Sequence, residues 1–372
     1  MGIKGFTKVF VPSTITLHSL KETRGAFDAS IMLYQSSLGM SSIKGLTDEN
    51  GQPTLHINVI ISRILNFMKE KIDQIWVFDY HENGYTPPHK ELELVKRATK
   101  KLASINKIEE LHKKETERIE IESKKNKDNT KEPKREEKYK ELFSDSDDDE
   151  LSTADINVDE IVSPHNDTSD DIKKQIEKHE KMSFTLDTNI VNDCKFILDC
   201  FHIKWCIAPK GIEAEHVCAE LTKNTTPTNI KCDFVFSTDV DTLVYGATKL
   251  VRSVKSGKKK VLQKYILDDI LHSNKISLPD LQKISVILGC DHAEKSAGIG
   301  PKTVIKKYTT VVLNDSQIEA LKVFNTNCNV ASIEFKNTEY TTLKIPELLD
   351  WLGSKNFSID RIKKQISKVI KI

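Results

Sequence analysis

Phe234-Val235-Phe236-Ser237-Thr238-Asp239-Val240-Asp241 is the stretch on which the fold reading turns. Its apolar run of aromatic and β-branched residues has the composition of a short buried strand, and it ends at once in two acidic residues. The same order recurs at Ile75-Trp76-Val77-Phe78, which runs straight into Asp79. Asp28 follows Gly25-Ala26-Phe27 and opens a helical-looking segment, Ser30-Ile31-Met32-Leu33-Tyr34. A fourth strand, Ile203-Lys204-Trp205-Cys206-Ile207, leads through Pro209-Lys210-Gly211 to Glu213 and Glu215. Strand-helix alternation of this kind predicts an α/β class with a mostly parallel central sheet.

In an open parallel sheet these positions all lie at the carboxyl ends of strands, where such folds place their ligands. Acidic groups from distant parts of the chain therefore converge on one edge. Converging carboxylates repel, and without compensation several would take up protons. Divalent cations remove the difficulty, and hard oxygen ligands without histidine or thiolate select Mg²⁺ or Mn²⁺. Two such ions, roughly 4 Å apart, can activate a water and stabilise both the attacking and leaving oxygens of a phosphodiester. Each piece alone is weak. A lone aspartate at a strand end is more often a helix cap or turn residue. Glu213 and Glu215 serve one site only if a helix starts there, because in mid-helix they would face opposite ways.

Composition divides the chain into four parts: 1–97 and 183–290 as two pieces of one globular domain, a charged insert over 98–182 between them, and 291–372 as a C-terminal helical region. The insert begins with a lysine- and glutamate-rich helical stretch, Lys107 to Lys114, which suits a solvated helix laced by i,i+4 pairs. Its acidic run Ser144-Asp145-Ser146-Asp147-Asp148-Asp149-Glu150 predicts a disordered linker, with phosphorylation as the alternative. A net charge of only +1 excludes a globally basic nucleic-acid coat, so any DNA surface must come from local charge separation. Seven cysteines without a C-x-x-C pair read as reduced buried thiols, and no segment has the length and apolarity of a membrane span.

Downstream, Ile287-Leu288-Gly289-Cys290-Asp291 precedes Gly298-Ile299-Gly300-Pro301-Lys302, a tight turn followed by Lys306 and Lys307. It reads either as a phosphate seat at a helix start or as an ordinary helix-helix turn. Together with Met1-Gly2-Ile3-Lys4-Gly5, Phe27-Asp28-Ala29-Ser30, Val77-Phe78-Asp79, Ala208 to Glu215 and Ser237 to Asp241, this resembles the flap endonuclease and XPG family of structure-specific 5′ nucleases, with the motifs in the family's order. The resemblance implies a PIN-like nuclease domain, a helical gateway over the site, and a C-terminal helix-two-turn-helix that grips duplex DNA. It implies that Asp28, Asp79, Glu213 and Glu215 serve a first Mg²⁺ and Asp239, Asp241 and Asp291 a second, with Mn²⁺ able to substitute.

By the same resemblance Lys90 and Arg97 are the basic catalytic pair, Tyr34 stacks on a base, Gly2 lies beside the site, and Gly298, Gly300, Lys302 and Lys306 contact the duplex. The gateway position falls on about Ala98 to Glu122. The implied substrate is branched double-stranded DNA with a 5′ flap, nick or gap. The alternatives are a junction-resolving relative or an idle branched-DNA platform. A monomer acting in the nucleus is expected, or at a cytoplasmic replication site should the chain come from a large DNA virus. Lys295 stands where the family often has a serine beside a potassium site, which counts against K⁺ there. The sequence reaches Ile372 without the glutamine- and aromatic-containing tail that docks on sliding clamps, so clamp recruitment is not expected.

Overall fold

A computed structural model describes residues 2–38, 54–80, 91–127, 169–183, 186–256, 259–339 and 342–370. The acidic run Ser144 to Glu150 and Lys90 lie outside these residues. Two compact units separate: Met1–Ser37, Gly45–Leu94 and Leu186–Ile372 form one, Leu38–Lys44 and Val95–Thr185 the other.

Among the described residues the first unit holds one eight-stranded sheet: β1 Ser13–Ile15, β2 Arg24–Asp28, β3 Asp73–Phe78, β4 Lys204–Ile207, β5 Phe234–Phe236, β6 Lys249–Ser256, β7 Lys259–Ile266 and β8 Phe335–Lys336. The spatial order is β1-β7-β6-β5-β2-β3-β4-β8. β6, β5, β2, β3 and β4 are mutually parallel, and short antiparallel strands close both edges. The chain leaves β2 toward β3 on one side and later places β5 on the other, so strand order reverses at β2, the kind of crevice where parallel sheets bind ligands.

Register explains which residues reach that crevice. Ala26 pairs with Ile75 and Val235, and Asp28 pairs with Val77. Because side chains alternate with period two, Ala26 and Asp28 share one face with Ile75, Val77 and Val235. Phe27 points to the other face, where its ring meets Phe67 at 4.8 Å, Phe236 at 5.5 Å and Trp76 at 5.8 Å. That aromatic layer is covered by the helix Leu55–Lys69. Replacing Phe27 by Leu is expected to cost about 1–1.5 kcal/mol through lost ring contacts, read as a lowered midpoint in chemical unfolding. On the first face the small Ala26, Ala214, Cys218 and Ala219, all buried, let the helix Ala214–Glu220 approach closely.

Six of the seven cysteines are buried and Cys290 is half-buried, and all are free thiols. Burial pushes Cys328 up to about 11, which keeps it protonated and inert at neutral pH. The second unit contains most of the helix Glu91–Lys127, packed on the helix Ser169–Ser183 through Ile108, Leu111, Ile172 and Ile176. No described helix is long and apolar enough to cross a membrane.

Candidate metal centre

Asp28 ends β2, almost fully buried, and one of its oxygens accepts the Ile31 amide at 3.2 Å, capping the helix Ala29–Leu38 that follows. Asp79 stands one residue beyond β3 and accepts the Ala214 amide at 2.9 Å, which fastens the start of the helix Ala214–Glu220 to the sheet. Glu213 is the residue before that helix and Glu215 lies in its first turn. The helix thus begins where the Pro209 and Gly211 breaks permit, and the two glutamates are released from the opposite-face problem of a helix interior.

After β5, Ser237 turns the chain: its hydroxyl lies 3.4 Å from Asp28 and accepts the Asp239 amide at 3.1 Å. Asp239 in turn accepts the Asp241 amide at 3.1 Å, and the helix Asp241–Val244 starts there. Glu215, Asp239 and Asp241 each offer an oxygen within 4.8 Å of the others. The resemblance divides these three between two metal groups; the fold brings them into one cluster. Asp291 follows the helix Leu278–Leu288 and accepts the Gly2 amide at 3.3 Å.

Burial, then repulsion from Asp239, Glu213, Asp28 and Asp241, holds the Glu215 carboxyl well above the usual range. Burial and the neighbouring Asp239, Asp291 and Glu213 do the same to Asp241, and burial with Asp291 raises Asp239. Asp241 Oδ1 is moreover buried without a hydrogen-bond partner. A buried acceptor left unpaired among like charges is a costly arrangement for the protein alone. A hard divalent cation satisfies it, and the all-oxygen donor set fits that class of ion.

Several residues that hold this geometry escape a reading by strand ends. Ser237 bridges Asp28 to Asp239. Tyr245, buried, donates its hydroxyl to Glu213 at 3.3 Å, and His292 Nε2 lies 3.9 Å from the other oxygen of Glu213. Gln317, buried in the helix Asp315–Phe324, donates to the carbonyls of Val286 and Glu294 at 3.2 and 3.1 Å and to Ser296 Oγ at 2.9 Å. It thereby ties the segment carrying Asp291 to the helix before it. For Tyr245, the signal available in sequence was its place four residues after Asp241. Gln317 advertises only the capping box Asn314-x-x-Gln317.

Gly2 sits against the cluster, with a left-handed φ of 84°. Tyr34 lies on the helix Ala29–Leu38, half-buried. Arg97 is exposed on the helix Glu91–Lys127 in the second unit. Gly298 and Gly300 have open space where a side chain would start, so no packing demands glycine there. The Gly300 amide is engaged by Thr303 Oγ1 at 3.2 Å, and the helix that follows, Val304–Lys307, is a single turn with Lys302, Lys306 and Lys307 exposed around it.

Two family models match the chain: the XPG N-terminal domain over residues 1–104 and the XPG I-region over residues 202–291. The flap endonuclease 1 of Leishmania infantum is 26% identical over 399 residues, covering 99% of this chain and 84% of that protein. The structure of flap endonuclease-1 from Methanococcus jannaschii superposes with a TM-score of 0.62 at 19% identity, covering 99% of this chain and 98% of the other. The catalytic core of Rad2 in complex with DNA substrate gives 0.60 at 16% identity, covering 99% and 100%. The matched models span both globular pieces of the split domain, the carboxylate-bearing strand ends fall within them, and the chain belongs to the XPG and flap endonuclease family.

Proposed function

We propose that the protein is a structure-specific nuclease that hydrolyses phosphodiester bonds of branched DNA near a 5′ flap, nick or gap, with Mg²⁺ as the natural cation and Mn²⁺ as a substitute. The observation that carries this reading is the set Glu215, Asp239 and Asp241, gathered at the reversal point of a parallel sheet, where burial and repulsion among neighbouring acidic groups raise all three carboxyls. Asp28, Asp79, Glu213 and Glu215 would hold one ion and Asp239, Asp241 and Asp291 another, Glu215 lying where the two groups meet. When bound, such ions lower the pKa of a water and take up charge on the phosphate oxygens.

The protein's own groups set the rest. By the family resemblance Lys90 and Arg97 would supply positive charge to the phosphate, an electrostatic role. Tyr34 offers a ring face to a base near the scissile bond. The turn at Gly298 and Gly300, with Lys302 and Lys306, contacts duplex phosphates, which gives affinity and register without sequence preference. Phosphate-dominated binding of this kind weakens steeply with salt. The place of action is then wherever replicating or damaged DNA is processed, the nucleus in a nucleated cell.

The test is incubation of the purified chain with a panel of 5′-labelled flap, nicked, gapped and four-way junction duplexes, with Mg²⁺ and with chelator. Short 5′ fragments from the flap duplex, in Mg²⁺ only, are expected. Cleavage confined to the four-way junction, or none at all, overturns the assignment.

A further inference from the structure

Glu213 is held from behind. Its Oε2 receives the Tyr245 hydroxyl at 3.3 Å across 32 residues of sequence, and its Oε1 lies 3.9 Å from His292 Nε2, with both the His292 and Glu213 side chains buried. Neither holder is loose. The Tyr245 ring stacks on His216 at 4.5 Å with an interplanar angle of 16°, and meets Phe324 edge-on at 5.2 Å. His292 meets the same Phe324 edge-on at 5.6 Å. His216 is anchored in turn beside Glu220, 3.6 Å away, and Glu220 pairs with Lys223. The result is an aromatic box whose two polar tips converge on one carboxylate.

The connectivity is economical. Tyr245 caps the one-turn helix that begins at Asp241, and His292 directly follows Asp291. The two segments that supply Asp241 and Asp291 to the centre therefore also supply the groups that steady a third acidic residue, Glu213. A carboxylate on the residue just before a helix, making no side-chain cap as at Glu213, has several χ rotamers open to it, and ligating carboxylates are set by the hydrogen bonds they receive from outside the ligand shell.

We infer that Tyr245, with His292 beside it, is a positioning residue that fixes the Glu213 carboxylate for cation binding and so sets the metal affinity of the centre. This rests on the metal-centre reading proposed above. Tyr245 touches neither DNA nor the reacting phosphate in this scheme; it acts through Glu213.

The test uses the full chain without DNA and reads bound Mn²⁺ by electron paramagnetic resonance. Tyr245→Phe keeps the ring, its stack on His216 and its edge on Phe324, and removes only the hydroxyl. Its Mn²⁺ dissociation constant is expected to rise about 10- to 100-fold, the usual consequence of losing a partner outside the ligand shell. Cleavage should then recover when Mg²⁺ is raised by the same factor. In a Glu213→Gln background the Tyr245→Phe change should leave Mn²⁺ affinity unaltered, which a merely structural role would not reproduce. Wild-type binding matched within twofold by Tyr245→Phe overturns the inference and leaves the metal centre standing. Absence of Mn²⁺ binding by the wild type overturns both.

Discussion

Gly2→Ala is expected to lower flap cleavage on the order of 10²-fold while leaving the fold in place. A Cβ on Gly2 would lie 2.2 Å from Asp239 Oδ1 and 3.2 Å from Asp241 Oδ1. The Asp239 carboxylate is buried and already accepts the Asp241 amide at 3.1 Å, so it can retreat only by giving up that bond and its place in the cluster. Displacement of a reacting group by about 1 Å commonly costs 10²-fold in rate. The left-handed φ of 84° adds strain for any L side chain, roughly 1–2 kcal/mol.

The fold should absorb that strain because the N-terminus is anchored independently. Phe6 packs on Phe10 at 4.8 Å and on Tyr265 at 5.9 Å, and the Lys4 amide donates to Gly289 at 3.0 Å. Mn²⁺ affinity, cleavage rate and thermal melting measured together check the claim. An alanine variant that cuts at the wild-type rate would show that Asp239 has room the geometry denies it.

The site was legible in the sequence to the extent that it depends on backbone position. Short continuous runs of aromatic and β-branched residues in Ile75 to Phe78 and in Phe234 to Phe236 mark strands buried on both faces, and an aspartate just past each must stand at the strand end whatever the tertiary details. The start of the helix Ala214–Glu220 is similarly local, since Pro209 and Gly211 break the chain before it. Residues that act by side-chain contact across the fold left no comparable trace. Ser237 reaches Asp28 over 209 residues, and Gln317 reaches Val286 over 31, through pairings that exist only once β5 lies beside β2 and the C-terminal helices have packed.

The hairpin of β6 and β7 was hidden for a different reason. Arg252-Ser253-Val254-Lys255-Ser256 and Lys259-Lys260-Val261 carry four basic residues among eight and no period-two apolar alternation, so the pattern does not announce a pair of strands. The edge strands β1 and β8, of three and two residues, are shorter than any pattern can signal and owe their existence to the strands they pair with.

Metal-free protein is expected to melt lower as pH rises from about 5 to 8, and saturating divalent cation should reverse most of the loss. The sign follows from the raised carboxyls of Asp241, Glu215 and Asp239, set by burial and by mutual repulsion. Between their ordinary value near 4 and the raised folded-state values, the folded protein binds more protons than the unfolded chain. Their contribution is therefore fully present below the ordinary carboxylate range and is lost as pH rises through the raised folded-state values. A cation that binds only the folded form adds about 2.7 kcal/mol at a hundredfold excess over its dissociation constant.

Other titrating groups overlay this trend, so the decisive comparison is with Asp241→Asn. Neutralising one member removes a buried negative charge and its repulsion of Asp239, which should stabilise the metal-free protein at pH 8 by about 1–3 kcal/mol. The gain should vanish below pH 4, where the wild-type group is protonated too. The same variant should gain little from Mg²⁺, because the group that repels its neighbours in the empty centre is one that holds the ion in the filled one. Calorimetric melting of both proteins across this pH range, in chelator and in Mg²⁺, decides it. An Asp241→Asn protein that melts at or below the wild type in chelator at pH 8 would mean that these carboxylates do not strain the fold, and the physical case for a resident cation would fall with it.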